Sequence, residues 1–530
     1  MSVRNGIVLL LALSTLTLLV GCGSSSPKVV PPPSGGFSAS NLKGTYVVSI
    51  AGFVGDVNVN AGTQSSFAMV GTLSADGAGN ITGGTVDIID PNLGAPGLFL
   101  GQSIGTNKYT VGSDGRGTAT LATPVGTFGV DFVLTSNGQG LITRFDNFGT
   151  GSGTLDLQTS ATQSSLQALA FSLSGADGTD SVPLGSVGGF TLNTSTGAIV
   201  SGTEDFNEGG SSTTGTDLPI TGGSVVLTSS TAGTAQLVTS FGSLAFDVFV
   251  IDSTHLKFIE TDGVEILSGD AFTQQTSISQ GTLAYTLGGF DSSGNPFAAG
   301  GLLASGSNGS LNGFEDYNDF GNSNTAQNVG GTCTLSAGRC QVTLSNFNNT
   351  LLVYQFAVYP SSGGILLLEV DNNGITQGAA YAQSSTALGT PQGYGLNLTG
   401  FDLNSGFEVD DIAEFTAQSA GSNGSGSFTG IVDINDGGPV KPQSLGTSTY
   451  TPDSPATGRG MISSSAFTLE YYTVDSSNVI FIETDVAQVS AGTLQLQNAS
   501  SSPGAAQAAR SALRPLARPM LRARSALRRK

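Results

Sequence analysis

One stretch of this chain is written four times, and it limits what the chain can fold into. Leu244–Asp262 reads LAFDVFVIDSTHLKFIETD and Phe467–Asp485 reads FTLEYYTVDSSNVIFIETD. Val353–Asp371 and Phe128–Asp146 have the same length without a gap. Each is an apolar run, a polar turn, a second apolar run and an acidic exit. Two runs of strand formers around a short turn specify a β-hairpin. Three further landmarks recur in a fixed order. An opening strand ends at Gly52, Gly175, Gly289 and Gly400. A Gly-x-x-Asp block follows at Gly84/Asp87, Gly202/Asp205, Gly313/Asp316 and Gly430/Asp433. After the hairpin, a closing strand runs from Gly to Gln at 153–158, 269–274, 378–383 and 492–497. The chain is therefore four tandem repeats, 41–158, 165–274, 281–383 and 391–497. The links between them are short and rich in Ser, Thr and Gln, so the repeats are expected to sit as adjacent beads in a row.

A period above 100 residues is too long for a solenoid and matches a small domain. In repeat 1 the strands fall near 44–52, 66–74, 80–88, 107–112, 116–122, 126–135, 140–146 and 152–158, with turn signals such as Asp76-Gly77 and Asp114-Gly115 between them. No stretch inside the repeats has sustained helical periodicity. The fold class is all-β, with about eight sequential strands per domain. An up-and-down antiparallel barrel of the lipocalin or streptavidin kind leaves no open edge and is favoured. The immunoglobulin-type β-sandwich is second, since it needs a long crossing connection and a Cys-Trp-Cys core, and Trp is absent.

The two ends differ from the repeats. Residues 1–21 have Arg4 and then an apolar stretch, Ile7–Val20, too short for an ordinary membrane span. Leu19-Val20-Gly21-Cys22 resembles the bacterial lipobox. That resemblance implies a cleaved signal peptide, lipid on Cys22, and a membrane partner reached through the anchor. Residues 22–40 then form a Ser/Pro/Gly tether. Gly23 after the cysteine points to the outer membrane or cell surface by resemblance to enterobacterial lipoproteins. The tail, 499–530, is basic and interrupted by Pro515 and Pro519, and is read as disordered. It holds eight of the 18 basic residues, leaving 10 against 38 acidic groups in the rest of the chain. A body so acidic repels nucleic acid.

Candidate chemistry is sparse. Cys333 and Cys340 flank a tight turn and are expected to form a local disulfide. His255 is the only histidine and falls in a hairpin turn where the other copies have Gln139, Gly364 and Asn478; a solvated turn is expected. There is no P-loop, dinucleotide fingerprint or zinc motif. The Glu-x-Asp hairpin exits recur at Glu260/Asp262, Glu369/Asp371 and Glu483/Asp485, with Arg144 replacing Glu in repeat 1. Paired carboxylates suit glycoside hydrolysis, but without Trp platforms a hydrolase is disfavoured and no catalytic residue is assigned. Calcium is a candidate ligand for Asp433, Asn435 and Asp436, for Asp316, Asn318 and Asp319, and for Asp205, Asn207 and Glu208, although these lack the twelfth-position Glu of an EF-hand. Asp and Asn shaping a turn is the plainer reading.

The lipobox, the Gly-x-x-Asp blocks and the Phe-Ile-Glu-Thr-Asp exits at 258–262 and 481–485 resemble uncharacterised bacterial lipoproteins with tandem all-β repeats, over about 41–497. The resemblance brings no activity. The resulting expectation is a non-enzymatic, lipid-anchored envelope protein, a surface, adhesive or spacer array with an envelope or extracellular partner. The alternative is a carrier of small apolar ligands in the barrel interiors.

Overall fold

The computed structural model describes residues 36–500, apart from 56–63, 95–96, 179–181, 210–212, 241, 350–352, 419 and 447. Cys22, the signal segment, most of the tether and nearly all of the basic tail lie outside the described residues. The chain is all-β, and each repeat is an antiparallel up-and-down barrel.

Repeat 1 shows how the circuit closes. Its strands are Lys43–Val54, Ser65–Asp76, Asn80–Ile89, a broken fourth strand (Leu98–Ser103 and Asn107–Val111), Arg116–Thr123, the hairpin Gly126–Ser136 and Gln139–Asp146, and the closing strand Gly149–Leu157. The closing strand pairs back on the first, Val48 opposite Leu155. The second pairs with the third, Val70 opposite Asp87. Repeat 3 is a closed eight-stranded barrel, and repeat 4 closes through Glu408–Ala417 on Gly426–Asp436. In repeat 2 the bridge Ala198–Ser224 completes the circuit. Within each repeat the described strand pairings join near neighbours or the two ends, so no crossing connection of the sandwich kind is needed. The hairpin carries a bulge in repeats 1 and 2, at Leu134/Ser136 and Val250/Asp252, while repeat 3 pairs Ser361 directly with Gly364.

Side chains fill the barrels. In repeat 1, Tyr46, Val48, Ile50, Phe67, Phe128 and Phe132 meet inside, and comparable clusters occupy the other three. The other face of these strands is buried too. Val479 and Phe481 point into barrel 4, while Ile480 and Ile482 pack on Ala284, Leu302 and Ala298 of barrel 3. Leu256 and Phe258 fill barrel 2, while Ile259 packs on Val47, Ala68 and Val70 of barrel 1. A strand covered on both sides reads as an unbroken apolar run.

These outer contacts close on themselves. The second strand of each barrel packs on the closing strand of the next: Ser65–Asp76 on Glu265–Thr273, Pro183–Leu192 on Gly374–Ala382, Pro296–Ser305 on Gln488–Leu496. Glu408–Ala417 of the last barrel packs on Gly149–Leu157 of the first. The four barrels form a ring, not a row. At its hub sit the residues that follow the opening-strand glycines: Phe53, Ala176, Phe290 and Phe401, joined by Ile375. Phe401 makes edge contacts with Phe53 at 5.8 Å and with Phe290 at 5.5 Å. The glycines themselves allow a close crossing beside the hub. A Cβ on Gly175 would lie 1.7 Å from the Ile266 carbonyl oxygen, and one on Gly400 2.1 Å from Ser490 Cβ.

Candidate functional site

The chemistry that recurs in this chain is gathered between the barrels. The third strand of each repeat ends against the hairpin of the next, and its Gly-x-x-Asp block supplies the contact. Asp205 receives the Arg339 Nε at 2.7 Å and the Tyr359 hydroxyl at 2.6 Å. Asp316 receives Arg459 Nε and Nη2 at 2.7 and 2.8 Å and the Tyr472 hydroxyl at 2.6 Å. Asp433 receives Arg116 Nη1 at 2.8 and 2.9 Å. Two residues on, an asparagine amide staples the same neighbour. Asn207 donates to the carbonyls of Glu369 and Gly374, Asn318 to those of Glu483, Asp485 and Gln488, and Asn435 to those of Arg144 and Gly149. Charge-assisted pairs of this kind fix orientation as well as adding energy.

The residues read as calcium candidates are therefore split between tasks. Asp316 and Asp433 each hold a guanidinium from the next barrel, and Asn318 and Asn435 spend their amides on its backbone. Asp319 lies within reach of the Asn348 amide, and Asp436 accepts from Ser405 at 3.1 Å. The Asp and Asn of one block point into an interface, a use that their spacing along the chain did not reveal.

The interface between barrels 1 and 2 departs from the other three. Ile89 replaces the asparagine and packs with Val70, Phe249, Ile251 and Ile259. Ala232 opens the strand that carries Arg116 or Arg459 in repeats 1 and 4. Asp87 is buried and accepts from the Gly101 N–H at 2.6 Å. Its carboxyl is pushed up to about 7, chiefly by burial, with Asp247 of barrel 2 adding repulsion.

A second recurrent device is the glutamine that ends each repeat. Gln158 Nε2 donates to the carbonyls of Thr231 and Val250 in barrel 2, and Gln383 Nε2 to Thr473 in barrel 4. Gln274 reaches Gly338 in barrel 3 at 3.5 Å. Gln497, which ends the fourth repeat, turns back to the first. It donates to the carbonyls of Asp114 and Leu134 in barrel 1, at 2.8 and 3.0 Å. The next residue repeats the pattern with its backbone: Thr159 to Ile251, Gln275 to Pro360, Ser384 to Val474 and Asn498 to Thr135. The fourth glutamine was the sequence signal for closure.

These latches lie against the hairpin tips, which corrects the reading of His255. It is not a solvated turn residue. Its ring is fully buried, stacks on Phe272 at 4.3 Å and bonds through Nε2 to Asp270, which also receives Lys257 Nζ at 2.9 Å. Gln139 and Asn478 are buried as well, because the tip of each hairpin is covered by the exit of the preceding repeat.

The Glu-x-Asp exits divide in two. Asp146, Asp262 and Asp371 accept backbone N–H groups of Gly129, Ala245 and Gln355, and so close their hairpins. The glutamates are buried. Glu260 is pushed up to about 8 and Glu369 and Glu483 well above their usual range, first by burial and then by the neighbouring aspartates. In repeat 1, Arg144 takes this place, with its guanidinium over the rings of Phe67 and Phe128 at 4.7 and 5.0 Å. Cys333 and Cys340 are joined by a disulfide.

Among the described residues, the void inside barrel 3 is smaller than the carrier reading requires. An apolar void in barrel 3, lined by Leu283, Tyr285, Leu303 and Phe356, measures about 40 Å³. A cleft between barrels 3 and 4 beside the hub measures about 70 Å³. A ligand pocket needs roughly 300–1,000 Å³. A hollow of about 310 Å³, lined in part by Lys108, Thr118 and Asp131, is open to solvent on barrel 1.

No protein-family model matches this chain, and no curated protein matches it. Among solved structures, it is similar to a transferrin binding protein B variant from Haemophilus parasuis, at 10% identity, with 86% of this chain and 96% of that one covered and a TM-score of 0.18. Intact Ap-TbpB, with its N and C lobes, is similar at 10% identity over 68% of this chain and 83% of that one, TM-score 0.16. A protein of unknown function from Nostoc punctiforme is similar at 8% identity over 42% and 96%, TM-score 0.14.

Proposed function

We propose that this protein is a non-enzymatic, lipid-anchored cell-envelope protein, held at the outer membrane or cell surface, whose ring of barrels presents a stiff exterior to an envelope or extracellular partner. The observation that carries this reading is the placement of the two chain ends. Phe37 N–H donates to Ser113 O, Gln497 binds Asp114 O, and the Asn41 amide donates to Ala499 O. The tether that leads back to Cys22 and the basic tail thus leave the ring at one corner of barrel 1. A lipid on Cys22 would bring that corner to the membrane, and with it the eight basic residues of 510–530. One acyl signal alone gives marginal attachment, and a polybasic segment is a recognised second signal. The paired carboxylates that a glycosidase would use are instead spent within their repeats, aspartates on hairpin backbone and glutamates buried, which favours a structural and binding role.

Fractionation tests the anchor. The wild-type chain sediments with membranes, globomycin blocks its processing, and Cys22→Ala releases it. An unprocessed, soluble wild-type protein would defeat the reading. For the tail, the Cys22→Ala chain binds vesicles containing anionic lipid, and deleting 510–530 weakens that binding by at least about tenfold. Equal binding with and without the tail would remove it from the anchor.

A further inference from the structure

An up-and-down barrel places its turns alternately at two ends. In this ring the hairpin tips, the glutamine latches and the corner where the chain ends meet share one end. The hairpin exits and the turns after the third strands share the other. At three interfaces that second end carries a pair of exposed apolar side chains. One lies on or just after the turn that leaves the third strand, the other on the hairpin exit of the next barrel. The pairs are Leu100 with Val264, Phe320 with Val486, and Val440 with Phe148. The two turns of each pair are neighbours. A Cβ on Gly263 would lie 3.9 Å from Leu98 Cδ2, one on Gly321 3.0 Å from the Val486 carbonyl oxygen, and one on Gly438 3.5 Å from Asn147 Oδ1. Of the ten large apolar residues that stand exposed among the described residues, these are six. Incidental surface apolars are scattered singly; they do not gather at one end and recur at equivalent interfaces.

The same end is acidic. The four hairpin-exit aspartates lie there, and Asp177, Asp291 and Asp402 end the opening strands beside them, each at least partly exposed. Among the described residues, Lys441 is the one exposed base at this end. We propose that this end of the ring is a docking face for a cationic polypeptide segment with apolar side chains set between its lysines or arginines. Charge selects that partner. A second copy applied face to face would set acid against acid, and anionic lipid or nucleic acid would be repelled in the same way. The apolar pairs supply contacts that exclude water, while the carboxylates around them steer and orient the partner. The inference deepens the proposed role by naming the face and the partner, and it rests on that role only for orientation: a ring anchored at the corner of the chain ends turns this end outward.

The experiment uses the full Cys22→Ala chain, so its result does not depend on the anchor. The probe is a dye-labelled amphipathic peptide of lysine and leucine, with a lysine–serine peptide of equal charge as control, and binding is read by fluorescence anisotropy. The leucine-bearing peptide should bind, and more weakly as salt rises. Phe148 and Val486 are 70% and 76% exposed, so Phe148→Ser with Val486→Ser removes little packing. That pair should weaken binding at least about fivefold. Asp262→Asn with Asp402→Asn keeps the acceptors for the Ala245 and Asn404 N–H groups and should slow association. Val200→Ser removes an exposed apolar residue near the opposite end and should leave binding unchanged. No binding of the leucine peptide, equal binding of both peptides, or an equal loss in Val200→Ser would overturn the proposal. So would cross-linking of this end to the chain's own 510–530, or to a second copy, in place of the peptide.

Discussion

Two of the four interfaces solve the same docking problem under opposite conditions. Barrels 1 and 2 are joined by the short link 159–164 and meet mainly through Val47, Val70, Ile89, Phe249, Ile251 and Ile259. Barrels 4 and 1 share no link. Their apolar contacts are Val133 and Leu141 with Ile412 and, at the hub, Phe53 with Phe401, and much of the rest is directional. Arg116 grips Asp433, Asn435 staples two carbonyls, and Gln497 two more. Asp410 accepts from the Thr150 and Ser152 hydroxyls at 2.7 and 2.6 Å. A short tether supplies a high effective concentration, so an oily, non-directional contact suffices to seat a neighbour. An untethered contact has to specify its own geometry, and hydrogen-bonded charge pairs do that.

The contrast can be broken first at the closing interface. Arg116→Ala leaves Asp433 buried without its partner, which typically costs about 3–5 kcal/mol. Spin or dye labels on barrels 1 and 4 should move apart while strand content is kept, and an unchanged distance would show that the pair is dispensable. At the first interface, Ile259→Ala removes packing on both sides of the contact, at about 2–4 kcal/mol. Because the link still holds the barrels together, it should lower the melting temperature without opening the ring.

Acidity should act on the closing interface and on the one before it. Asp131 and Glu470 are pushed up to about 7 and Glu414 to about 8, each chiefly by burial. A carboxyl whose folded pKa is raised favours the fold when protonated. That stability is fully present below the ordinary carboxylate value, fades as pH rises through 7 to 8, and is level above. Melting temperature should therefore fall between about pH 5 and pH 9, and a rise over that span would contradict the burial of these groups. The smallest effect is expected from Gln497→Ala, at about 1–2 kcal/mol for two lost hydrogen bonds. It should be seen as faster proteolysis near Asn498 with little change in the melt.

Much of the fold was legible because strand period, turn residues and duplication all act locally. The hairpin in particular could be read from Leu244–Asp262 alone. The ring was not legible, although its traces were present. Val479-Ile480-Phe481-Ile482 does not alternate, and such a strand must be covered on both faces. Nothing local says which of these apolar residues point inward and which outward. The blocks at Asp316/Asn318 and Asp433/Asn435 resembled ion loops for a similar reason. Their true partners, Arg459 and Arg116, lie 143 and 317 residues away. His255 was misread because the segment covering its turn belongs to another repeat.

The meeting of residues 37 and 499 at one corner has a topological consequence. The ring has no structural first member, and its seam between barrels 4 and 1 is held by the same latch as its links. A circular permutant that joins the present ends through a short flexible linker, and opens instead within 275–280, should rebuild the same ring with barrel 3 leading. In that protein the seam and a link exchange roles. The anchor would then leave from a different corner, so the direction in which the ring faces its surroundings could be changed without altering any contact inside it.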